Sequence, residues 1–133
     1  SVASRGLGDV YKRQISTNGK LIDSFRGDGV IIATPTGSTS YSMSVGAPII
    51  YPTMKSNLIV PMAAYKLGSR PLILPADYDI IAKITGYPEA VMVIDGKEEI
   101  FIKAEDKIEF KASKNPASLI RFSKNFFVFM SPA

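Results

Sequence analysis

The 133-residue sequence contains no cysteine and no histidine. The first absence excludes disulfides and every thiolate metal site. The second removes the commonest general base and the commonest metal ligand. Any chemistry must therefore rest on carboxylates, hydroxyls, backbone amides or cations. No apolar run approaches the roughly 18 residues that a membrane span needs. The N-terminus lacks the apolar stretch of a secretory signal, so a cytoplasmic location is expected. Charge of one sign is also thin. The net charge is +4, and Arg5, Lys12 and Arg13 against Asp9 place +2 of it within residues 1–14. Later lysines alternate with acids, as in Lys103, Glu105, Asp106, Lys107 and Glu109. Such mixing describes a solvated face and not a phosphate-tracking patch, so neither a nucleic-acid nor a membrane partner is expected.

Hydrophobic residues make up 46% and charged residues 21%, ordinary values for a globular chain of one domain. Residues 1–14, SVASRGLGDVYKRQ, show no clean helical or strand period and read as an unassigned, non-native-looking segment, set apart from a domain over 15–133. From Ile15 onward the pattern is mostly strand. Val30, Ile31, Ile32 and Ala33 form a short β-branched run ended by Pro35 and Gly37. The Ser/Thr cluster after it offers several N-caps for a short helix that Gly46 and Pro48 would end. Strand-like runs follow at 58–61, 71–75, 79–84, 91–94, 97–103, 107–112 and 119–121, and an aromatic one at 126–129. Asp95-Gly96 between two of them is the preferred two-residue type I′ hairpin. The expectation is a mainly β, sandwich-like domain with one short helix after the Thr-Pro-Thr-Gly-Ser-Thr-Ser-Tyr loop.

Two motifs carry candidate chemistry. In Gly27-Asp28-Gly29 the carboxylate stands between residues without side chains, so a ligand can approach the backbone closely; taken alone the signal is weak, and a tight turn is the commoner explanation. In the 34–41 stretch a strand leads through a glycine turn into a hydroxyl-rich helix start, a general recipe for holding phosphate. No lysine follows in Walker spacing, and an over-supplied N-cap is the competing explanation. Tyr41 offers a ring to stack on a base or to close the core.

The unbroken run from Gly27 through Thr34-Pro35-Thr36-Gly37-Ser38-Thr39-Ser40-Tyr41-Ser42-Met43-Ser44 to Gly46-Ala47-Pro48-Ile49 resembles the signature of the NAD kinase family. Ser69-Arg70-Pro71-Leu72 with Pro75, and Val93-Ile94-Asp95-Gly96, resemble two further family motifs. The resemblance covers residues 20–129 and implies the C-terminal, substrate-binding domain. It implies that Arg26 and Asp28 line the dinucleotide site, with Asp28 at the nicotinamide end, in one variant that of a neighbouring subunit's substrate. It implies that Thr39, Ser40, Tyr41, Ser42, Met43 and Ser44 wrap the adenosine, that Thr36 lies against the phosphates, and that Asp95 stands near a ribose hydroxyl. The hairpin alone suffices to explain Asp95. Ser40 stands where the family carries alanine and Lys97 where many members carry glutamine.

The implied substrates are NAD with ATP or polyphosphate, and the implied cofactor is a divalent cation, magnesium with the ATP. The implied assembly is a homo-oligomer. The family's Gly-Gly-Asp-Gly-Thr loop with the catalytic aspartate, and its Asn-Glu loop, do not occur in these residues. No catalytic residue is therefore assigned, and the chain alone is expected to be inactive. A lipid kinase of the diacylglycerol or sphingosine type, lacking the Thr-Pro-Thr-Gly-Ser-Thr stretch, and a non-enzymatic β-sandwich are the rival readings.

Overall fold

The computed structural model describes residues 2–6, 12–27, 29–39, 46–62, 70–85, 89–103 and 105–114. The described residues form ten strands: β1 (Val2–Gly6), β2 (Lys12–Thr17), β3 (Lys20–Arg26), β4 (Gly29–Ala33), β5 (Ser56–Met62), β6 (Leu72–Pro75), β7 (Ile80–Thr85), β8 (Glu89–Ile94), β9 (Glu98–Lys103) and β10 (Lys107–Phe110). They form a six-stranded sheet, β6-β5-β4-β1-β8-β9, and a four-stranded sheet, β10-β7-β2-β3. Every pairing is antiparallel.

Side-chain alternation explains how the sheets stack. Ile15, Ile80 and Ala82 of the small sheet pack with Val30, Ile32 and Ile59 of the large one. A second contact joins Ile84 to Ala90 and Ile102. These are the inner faces of a sandwich, one residue in two along each strand. In β4 and β5 the intervening residues are buried as well. Ile31, Ala33, Leu58 and Val60 lie in a separate cluster with Ala47 and Ile50, which come from the returning loop. Cover on both faces is why 29–33 and 58–60 read as continuous apolar runs instead of alternating ones.

Two hairpins share one chemistry. Asn18 and Gly19 have φ of 49° and 75°, and Asp95 and Gly96 have 50° and 70°, the positive pairs of a type I′ turn. The second follows the sequence expectation. The first, joining β2 to β3, carries the equivalent Asn-Gly signal. The Thr17 hydroxyl then donates to the Asp79 carbonyl at 2.6 Å, tying the β2 end to the entry of β7.

Expected strands at 71–75, 79–84, 91–94 and 97–103 coincide with β6 to β9, and 107–112 with a shorter β10. The runs at 119–121 and 126–129 lie outside the described residues. The segment set aside at 1–14 is not apart from the fold. Its residues 2–6 are a central strand bonded to β4 and β8, and 12–14 begin β2. Five residues, Val-Ala-Ser-Arg-Gly, are too few and too mixed to show a period, and backbone pairing on both sides does not require one.

Leu58 is fully buried and Ile100 is 43% exposed on the edge strand β9. Leu58→Ala should therefore cost about 2–5 kcal/mol and Ile100→Ala within about 0.5 kcal/mol in urea unfolding. Equal losses would contradict the placement of the outer core cluster.

Candidate functional site

The site is built at the end of β4. Thr34 accepts the Gly37 N–H on its hydroxyl at 3.3 Å, as an N-cap does, and Pro35 takes the first position, where a missing N–H is harmless. A 3-10 turn, Thr36–Thr39, follows. The Ser38 N–H is shared between the carbonyls of Thr34 at 2.9 Å and Pro35 at 3.2 Å. The Ser38 side chain is fully buried; its hydroxyl donates to the Pro35 carbonyl at 2.6 Å and accepts the Ile50 N–H at 3.1 Å. One oxygen thus closes the turn and anchors the loop that covers the outer face of β4. Thr36, directly before Gly37, is exposed. Gly46 has φ of 81°, the left-handed conformation that ends helices. The short helix expected between lies at 40–45, outside the described residues.

Register places the second element. Val2 of β1 faces Ile32 on one side and Ile94 on the other, so β4 and β8 run parallel to each other. Thr34 and Asp95, the residues that follow them, leave the sheet at the same end, two strand spacings or roughly 10 Å apart. Thr36, Thr39 and Asp95 are therefore brought to one end of the sandwich. Arg26 closes β3 on the small sheet, and Gly29 opens β4 at the far end, about 16 Å from Thr34 by strand rise. The Arg13 guanidinium, buried in β2, donates from Nη1 to the Gly27 carbonyl and fixes that corner. Asp28 and Ser40, Tyr41, Ser42, Met43 and Ser44 lie outside the described residues, as do the side chains of Arg26 and Thr39.

Asp95 is exposed at its hairpin tip, where Lys97 N–H closes the turn onto the Ile94 carbonyl at 3.0 Å. A hydrogen bond from the chain's amino terminus, that group's positive charge and the charge of Lys97 hold its carboxyl below the usual range, against a small opposing effect of burial. No helix of the described residues is long and apolar enough to cross a membrane. Ser38 is the residue that sequence reasoning did not select. Within a run of five hydroxyl residues nothing marks the one that turns inward.

The described residues thus define a two-sheet antiparallel β-sandwich that carries a capped, hydroxyl-bearing turn and an acidic hairpin tip at one end. The chain belongs to the ATP-NAD kinase C-terminal domain family, whose model matches residues 3–122. It is 41% identical over 128 residues to an NAD kinase of Methanosarcina mazei, covering 96% of this chain and 44% of that protein. It is also 41% identical over 113 residues to an NAD kinase of Fusobacterium nucleatum, covering 84% and 42%. Among solved structures, it is similar to an NAD kinase from Archaeoglobus fulgidus in complex with ATP. The TM-score is 0.76 at 25% identity, over 87% of this chain and 45% of that one. Yeast NADH kinase complexed with NADH gives a TM-score of 0.76 at 29% identity, over 81% and 32%. The chain spans less than half the length of these relatives.

Two outcomes follow from this geometry. Ser38→Ala leaves the Ile50 N–H buried without its acceptor and should cost about 1–3 kcal/mol in urea unfolding. The Ile50 amide should lose hydrogen-exchange protection selectively; unchanged exchange there would remove Ser38 as the anchor. The second outcome concerns Asp95. A carboxyl whose folded pKa is lowered adds stability when ionised, and that contribution disappears as pH falls through the acid range. Lys97→Ala should move the Asp95 midpoint part of the way back up in an NMR titration. An unmoved midpoint would remove Lys97 as a contributor.

Proposed function

We propose that this chain is the NAD-binding half of an NAD kinase, which transfers a phosphoryl group from ATP to the adenosine 2′-hydroxyl of NAD. The observation that carries the reading is the uninterrupted Gly27-to-Ile49 motif, seated on a strand whose exit turn is capped and exposes Thr36. That turn suits a dinucleotide's phosphates. Asp95, at the same end of the sheet, suits a ribose hydroxyl. Asp28 and Arg26 supply the nicotinamide end in this reading. Tyr41, with Thr39, Ser40, Ser42, Met43 and Ser44, supplies the adenosine surface in this reading.

The chain's own residues bind and orient; the acid–base group must come from elsewhere. Phosphoryl transfer depends on in-line positioning and charge stabilisation, so a half-site gives little rate. A divalent cation, magnesium, would arrive on the triphosphate. The described residues contain no group of three carboxylates that fits a metal, and no step here runs through one. If Asp28 serves a neighbouring subunit's substrate, the working enzyme is a homo-oligomer. A cytoplasmic location accords with these substrates. The family match favours this reading over a lipid kinase or a non-enzymatic sandwich.

The test joins the chain to the N-terminal half of an NAD kinase. Asp28→Ala in that protein should raise KM for NAD about 10-fold or more, the loss expected of one charged hydrogen-bond partner, with the unfolding midpoint preserved. Tyr41→Ala should do likewise. An unchanged KM in both variants would sink the site assignment, and NADP formation by the 133-residue chain alone would sink the half-site reading.

A further inference from the structure

The motif end of the sandwich holds a second feature. Between the exit of β4, the entry of β5 and the exit of β10 lies a cavity of about 440 Å³, within the size range of small-molecule sites. Its walls include Ile32, Pro35, Met54 and Phe110, and its polar groups include Lys55, Ser56, Asn57 and Lys111. Neither Thr36 nor Asp95 lines it, and no carboxylate does among the described residues.

Three observations constrain what it would hold. First, the apolar walls favour an apolar body, since a bare phosphate would leave them facing water. Second, the charged side chains at the cavity are of one sign. Lys111 reaches Glu109 at 3.4 Å, but both side chains are more than half exposed, so this pair leaves most of the ammonium's field available. Third, Ser56 is 6% exposed, and its hydroxyl is buried with no hydrogen-bond partner in the described structure. Buried hydroxyls normally have one. A neutral hydrocarbon would leave both the lysines and this hydroxyl unserved, and a cation would be repelled.

We propose that this cavity binds an organic monoanion with an apolar, ring-sized body, its anionic group at Lys55 and Lys111 and an acceptor atom within reach of Ser56. Thr34 and Pro35 also line the cavity, and their carbonyls hold Ser38. An occupant therefore bears on the turn that presents Thr36. The site does not depend on the NAD reading: Thr34 and Pro35 belong to the turn that reading uses, but the groups proposed to hold the occupant, Lys55, Lys111 and Ser56, do not.

The experiment follows backbone amide shifts of the 133-residue chain during titration with naphthalene-2-sulfonate, with inorganic phosphate in parallel. The expected result is saturable, one-to-one binding of the sulfonate, with shifts centred on residues 54–57 and 110–113 and no saturating response to phosphate. Lys55→Ala with Lys111→Ala should weaken it about 5- to 10-fold, the effect of two partly exposed ion pairs. Both lysines are exposed, so the double variant keeps its fold. Ala76→Leu, which fills the cavity from its wall, should abolish binding while leaving the NMR spectrum folded. Equal affinity in the double-lysine variant overturns the proposal. So do non-saturating shifts spread over exposed Leu72, Ile73 and Phe101. Binding that appears only after removal of residues 115–133 overturns it in favour of the chain's own tail as occupant.

Discussion

The architecture around the motif depends on one buried hydroxyl. Ser38 donates to the Pro35 carbonyl and accepts the Ile50 N–H, so the same oxygen shapes the turn and fastens the cover over the outer core. Without that cover, Ile31, Ala33, Leu58 and Val60 would have a single packed layer on one side and water on the other. A strand buried on both faces can be apolar throughout, and β4 is. The sequence of the strand and the hydrogen bond of the turn are thus two expressions of one requirement.

The sandwich does the rest by direction alone. Because β4 and β8 are both antiparallel to β1, their exits emerge side by side. A loop seated on a strand exit is held by the whole ladder behind it, so Thr36 and Asp95 are positioned by backbone pairing and need no contact with each other. The Gly27 corner is secured differently, by a buried guanidinium reaching a carbonyl. Burying that cation costs desolvation, which fits a corner held in place for a purpose beyond stability.

Much of this was legible from residue order. Val30 to Ala33 announced a buried strand, and Asp95-Gly96 announced its hairpin through the positive φ that glycine tolerates. What stayed hidden is what depends on distant partners. Ser38 looks like its hydroxyl neighbours until Ile50 returns to meet it, twelve residues on. Residues 2–6 have no period of their own and become a central strand only because β4 and β8 offer bonds on both sides. Asn18-Gly19 is legible by the same rule as Asp95-Gly96, because asparagine and glycine both tolerate positive φ. Cavities such as that beside Ser56 arise from three separate strand ends, and no local pattern encodes them.

The position of β1 has a practical side. Its first residues lie between the exits of β4 and β8, at the end of the sheet that carries Thr34 and Asp95. Anything fused ahead of Val2 therefore emerges in the gap between the Thr34 turn and the 94–97 hairpin. A cationic extension placed there would pair with the exposed Asp95 carboxylate at high local concentration and mask that charge from any ligand.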